Sequence, residues 1–132
     1  MDPVKLFTVI ALVSIPTVMF GGFSLLRLLP TGKLSPFQIT YFRAGHAHAG
    51  VLLVMTLATL DILGRSGGLG TGARWAVCLL LLVGVLAQSG GMFLHMAFGR
   101  QGQWSRGNTL TTAGAVLLAV ALLTVAYGVA AS

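Results

Sequence analysis

The sequence predicts an all-α fold, an integral membrane four-helix bundle of up-down-up-down topology, on three observations. Of 132 residues, 56% are apolar and only 8% charged, whereas a soluble domain carries roughly 25% charged residues. Four charge-free runs are long enough to cross a bilayer core of about 30 Å at about 1.5 Å per residue. They are Leu6 to Leu26, Ala44 to Leu60 (extendable past Asp61 to Leu63), Trp75 to Gly99 and Asn108 to Ser132. Each run is continuously apolar with no period of two, which in lipid selects helices over the strands of a barrel.

The first helix, about residues 5–28, follows the weakly basic start Met1–Lys5. Its apolar stretch is longer than that of a signal peptide, and Phe20-Gly21-Gly22-Phe23 is no A-x-A-like cleavage site, so a retained helix is expected. Pro16 frees the carbonyl of Leu12 and predicts a kink. The second helix, about 36–63, opens on Ser35-Pro36-Phe37-Gln38, a capping box with proline at the first helical position. Phe37, Tyr41 and Phe42 follow where an aromatic belt belongs.

The third helix is expected over about 74–99. The fourth, about 108–130, has Asn108 as its expected N-cap. Gly114, Ala121 and Gly128 recur every seven residues in the fourth helix, and Gly84 and Gly91 repeat the spacing in the third. Such stripes bring helices close together. The three connections are short, so neighbouring helices run antiparallel within a single domain spanning residues 1–132.

Eight Lys/Arg against two Asp/Glu give a net charge of +6. These charges punctuate apolar spans and form no stripe, which excludes a nucleic-acid-binding face. Arg27, Lys33, Arg43, Arg100 and Arg106 flank the first and third loops; Lys5, Arg65 and Arg74, with Asp2 and Asp61, lie at the other end. The positive-inside rule then puts those two loops in the cytoplasm and both termini outside the cell's inner (plasma) membrane. Asp61 and Arg65 have the spacing of an exposed i,i+4 ion pair. The glycine-rich stretch Gly64–Gly72 lacks the GK[ST] ending of a phosphate loop and reads as a flexible connection. The lone Cys78 is silent on redox compartment. With no hydrolytic triad, carboxylate pair or nucleotide signature, independent catalytic activity is not expected.

The candidate chemistry lies in three histidines. His46 and His48 enter the second helix just past the first loop, and His95 precedes the third loop by about one turn. Antiparallel helices put all three at similar depth on the basic side, and a histidine inside a membrane segment is a functional candidate. His46 and His48 point about 200° apart in a regular helix, so one of them, not both, faces His95 across an interface. Gly84, Gln88, Gly91 and His95 share one face of the third helix, and His46 shares its face with Gly50. Glycine opposite glycine leaves room for a flat porphyrin, or lets two backbones touch.

One reading is therefore haem b ligated by His95 with His46 or His48, beside Gln88, with Arg43, Arg100, Arg106 and Lys33 placed for the propionates. Copper is the alternative ligand, with His46, His48, His95 and the thioethers Met92 and Met96 as a soft donor set. The structural reading is that the histidines bond to neighbouring helices, with Gln88, Thr111 and Thr112 as partners.

The segment Tyr41-Phe42-Arg43-Ala44-Gly45-His46-Ala47-His48-Ala49-Gly50 resembles the H-x-H helix of small four-helix bacterial membrane proteins. Some of these are grouped with the catalytic-subunit-like members of the haem–copper oxidase family. Gly91-Met92-Phe93-Leu94-His95 supplies a second His-bearing helix. The resemblance covers two of the four helices and implies a respiratory or haem-linked setting, in electron transfer or respiratory assembly. Terminal oxidase activity is not implied, since a twelve-helix architecture and the further histidines of a binuclear centre are absent. Two other functions stay open: an accessory subunit docking through the Gly114–Gly128 stripe onto a larger membrane complex or a second copy, and a small oligomeric channel or transporter lined by Gln88 and the histidines.

Overall fold

The computed structural model describes all residues from Met1 to Ser132. Four helices follow one another, α1 (Pro3–Leu28), α2 (Pro36–Arg65), α3 (Thr71–Phe98) and α4 (Arg106–Ala130), with a single 3-10 turn, Leu29–Thr31, after α1. Each is long and apolar enough to cross a membrane, with a mean hydropathy of 1.7 or more over its most apolar window. The protein is a multi-pass, helical membrane protein in a lipid bilayer.

The helix starts are written locally. In α1 the Asp2 carboxylate accepts a hydrogen bond from Val4 N–H at 3.1 Å, with Pro3 at the first helical position. In α2 the Ser35 hydroxyl accepts from Gln38 N–H, and the Gln38 amide oxygen accepts from Ser35 N–H. This is the expected capping box. In α4 the N-cap is Ser105, not the expected Asn108. Asn108 occupies the third helical position, and its Oδ1 accepts from Ser105 N–H at 3.3 Å. An amide there closes the box as a glutamine would, and that reciprocity moves the helix start three residues upstream. The helical assignment of α1 runs unbroken through Pro16. The Ser14 hydroxyl beside it bonds the Ile10 carbonyl at 2.8 Å.

The core is a column of apolar side chains from all four helices, with Leu60, Leu63, Cys78 and Ala121 fully enclosed. The closest pairing is α3 with α4. A Cβ built on Gly107 would lie 2.5 Å from Gly91 O, and one on Gly84 would lie 2.7 Å from Leu118 Cγ. Gly114 sits on the Gln88 backbone, where a Cβ would lie 2.8 Å from Gln88 Cα. These glycines let the two backbones touch. α1 is the peripheral element and turns Leu12, Val13, Met19, Phe20, Phe23 and Leu26 outward.

Both ends of α3 are tied to a neighbour by one polar side chain. At the start, Arg74 donates to the Leu63 carbonyl near the end of α2 at 2.6 Å, which satisfies a carbonyl in the last turn of that helix. At the end, His95 meets the N-cap of α4. The ion pair of Asp61 and Arg65 is exposed on both sides, where such pairs contribute about 0.3–0.5 kcal/mol. Cys78 is a sealed thiol. It should stay unlabelled by a membrane-permeant maleimide in the native bundle and react fully once the protein is unfolded in hot detergent. Stoichiometric labelling without unfolding would contradict this core.

Candidate functional site

The three histidines lie at one end of the bundle, as their positions in antiparallel helices require, but they occupy separate environments. His95 is 2% exposed. Its ring packs edge-on against Tyr41 and Phe37 of α2, with centroids 4.4 and 5.3 Å away. Those two aromatics, expected in a belt at the interface, form one wall of a box around the histidine.

On the other side, His95 Nδ1 and Ser105 Oγ are 2.6 Å apart. Ser105 Oγ also accepts from Gly107 N–H at 3.1 Å and lies 3.1 Å from Asn108 Oδ1, which only accepts. With the Ser105 proton directed at Asn108, the imidazole Nδ1–H donates to Ser105, and Nε2 carries the lone pair. The first turn of α4 also lies flat on this part of α3, since a Cβ on Gly107 would lie 2.5 Å from His95 N.

His46 points away from α3. It covers the Gly21–Gly22 pair of α1, where a Cβ on Gly22 would lie 2.8 Å from its Nε2. Glycine admits the imidazole there because any side chain would strike it. Phe42 stands beside it, 6.5 Å between ring centroids. His48 is half-buried and donates through Nδ1 to the Ala44 carbonyl of its own helix at 2.9 Å. The helix is regular through this segment, so His46 and His48 diverge as the 100° repeat requires.

The space between α2 and α3 at this depth is filled. Gly45, buried on α2, faces α3, and a Cβ on it would lie 3.1 Å from Phe93 Cε2 and 3.3 Å from Met92 Cβ. Phe93 in turn stacks edge-on with Phe42 at 5.4 Å. The Gly84–Gly91 face of α3 is occupied by α4, and the Thr111 hydroxyl bonds the Gln88 carbonyl at 3.2 Å. The interhelical bonds expected of the histidines to Gln88, Thr111 or Thr112 are not made: Thr111 reaches the Gln88 backbone, Thr112 bonds its own helix, and His95 takes Ser105. A porphyrin held by His95 and either α2 histidine does not fit this packing, because the slot is taken by Phe93, Met92 and the backbone of α4. No three His, Cys, Asp or Glu side chains converge as a ligand set for copper or another metal. Arg43, Arg100 and Arg106 are exposed at this end.

Several contributors carried no sequence signal strong enough to mark them. Ser105 looked like loop, although Ser105 and Asn108 have capping-box spacing. Gly21 and Gly22 lie at the depth of His46 on the adjoining helix, which only a pairing of α1 with α2 turns into a contact. No family model, characterised protein or solved structure matches the chain.

Proposed function

We propose that this is a non-catalytic accessory protein of a larger membrane assembly, in which His46 and His95 fasten its helices and the fourth helix docks to a partner helix. The supporting observation is that α4 is built of small residues on two opposite faces. Gly107, Gly114, Ala121 and Gly128 are buried, so the stripe expected to dock outward is used inside the bundle against α3. On the opposite face Thr112, Ala115, Ala119, Ala126 and Ala130 are exposed, at separations of three, four and seven residues, with the exposed Leu123 as the large residue between Ala119 and Ala126. A helix meant only to face lipid has no need of small residues there; α1 presents large ones. Small residues at helical spacing allow the close approach by which membrane helices associate through van der Waals packing.

The test is the size of the assembly in gently solubilised membranes. The wild-type protein should migrate well above its monomer, and Ala119→Leu with Ala126→Leu should release it to monomer with its thermal stability unchanged. A wild-type monomer, or an assembly indifferent to the double substitution, would remove this reading. A haem or copper centre on the histidines is the competing proposal, and it requires α2 and α3 to part.

The first and third loops are proposed to face the cytoplasm of the inner membrane, on the balance of five flanking cations against three. In intact cells an impermeant maleimide should label Gly67→Cys and leave Gln101→Cys unlabelled until lysis. The reverse pattern would invert the orientation. The native Cys78, being buried, gives no background.

A further inference from the structure

Most hydroxyls in these helices follow the ordinary rule for Ser and Thr in apolar surroundings and bond back to the carbonyl three or four residues earlier. Thr8, Ser14, Thr17, Ser24, Thr59, Thr112 and Thr124 all do so. Two do not. Thr56 on α2 and Ser89 on α3 are each 6% exposed, and neither hydroxyl has a partner. An unpaired polar group in hydrocarbon is destabilising, and both orphans line the same cavity.

That cavity, about 280 Å³, lies among α1, α2 and α3. The rest of its wall is mostly apolar, including Ile10, Val18, Leu53, Val85 and Phe93, and the Ser14 and Thr17 hydroxyls that also line it are already bonded to carbonyls of their own helix. None of the lining residues is charged, and none is a histidine. Thr17 and Leu86, both exposed, stand at its rim, so it opens sideways into lipid between α1 and α3. An engineered cavity of about 150 Å³ holds benzene. This one accommodates a ring with a short tail or part of a longer chain, the rest leaving through the open side.

From these features we infer that the cavity is a binding site for an uncharged, lipid-soluble molecule that presents a hydroxyl or carbonyl oxygen to Thr56 and Ser89, which hold it by hydrogen bonds. The absence of charge in the lining selects against carboxylates and phosphates, whose burial without a counter-charge is prohibitive. The two hydroxyls select against plain hydrocarbon, which would leave them unpaired. A long-chain alcohol and a short-tailed quinone share the required chemistry. This site is separate from the outer face of α4 and stands or falls independently of the docking proposal.

The experiment uses the full chain in phosphatidylcholine vesicles with a diazirine-bearing hexadecanol, photocrosslinked and mapped by mass spectrometry. Crosslinks should fall on the cavity segments of α1, α2 and α3. Unlabelled hexadecanol or a decyl benzoquinone should compete at least tenfold better than hexadecane, and the stronger competitor identifies the oxygen preferred. Thr56→Val with Ser89→Ala, which preserves the shape, should abolish that preference while crosslinking persists. Gly90→Leu is the second variant, since a Cβ there meets nothing within 4 Å and the side chain would fill the cavity; crosslinking should be lost. Equal competition by hexadecane, or a preference that survives removal of both hydroxyls, would overturn the site and leave only adventitious filling by lipid.

Discussion

Gly114→Leu should destabilise the protein by at least about 3 kcal/mol, read as a large fall in thermal unfolding temperature. Inserting bulk into a packed interior typically costs about 1–3 kcal/mol when neighbours can shift. Here the neighbours are the Gln88 backbone and the Gly84 carbonyl, the latter 2.8 Å from where a Cβ would stand, and helix backbone cannot rotate aside. The sign for the smaller change follows from comparison of magnitudes. Gly→Ala within a helix gains up to about 1 kcal/mol in propensity, so at Gly90, with open space around it, alanine should be neutral or stabilising. At Gly114 the collision exceeds that gain, and alanine should destabilise. If Gly114→Ala and Gly90→Ala behaved alike, the backbone contact between α3 and α4 would be wrong.

His95→Ala should cost about 2–4 kcal/mol. The imidazole is almost wholly buried between Tyr41, Phe37 and Ser105, so its removal leaves a cavity of aromatic size. The hydrogen bond is the smaller part. Interhelical polar bonds in membrane proteins average about 0.6 kcal/mol and reach about 1.7. A double-mutant cycle of His95→Asn with Ser105→Ala should therefore give a coupling of about 0.5–1.5 kcal/mol by thermal or denaturant unfolding. His46→Ala should cost less, because its ring is only partly buried over the α1 glycines. Equal effects of His95→Ala and His46→Ala would argue against the box around His95.

The helices were legible because a bilayer imposes length and composition on each span separately. Charge-free runs bounded by Lys5, Arg27, Arg43, Asp61, Arg74, Arg100 and Arg106 mark four crossings without reference to any contact between them. The depth of the histidines was legible for the same reason, since antiparallel crossings bring His46, His48 and His95 to one end. Their azimuth was legible only within a helix: the 100° repeat separates His46 from His48, but which neighbour each meets depends on where α1 and α4 pack. The glycine faces show the same limit. Gly84 and Gly91 look identical in sequence whether a porphyrin or a helix backbone fills the space, and Gly107, Gly114 and Leu118 of α4 fill it. Thr56 and Ser89 looked like ordinary helix hydroxyls, because being unpartnered is a property of the three-helix cavity and not of either helix.

The central claim is that the three histidines stand in three separate environments, His95 and His46 against neighbouring helices and His48 on its own, and do not share a centre. It is tested most directly by the absorption spectrum and metal content of the protein purified gently from haem-replete cells. The account predicts no Soret band and no stoichiometric copper or zinc, with the protein fully folded by thermal unfolding. A Soret band or one metal per chain, lost on His95→Ala together with either α2 histidine, would contradict it.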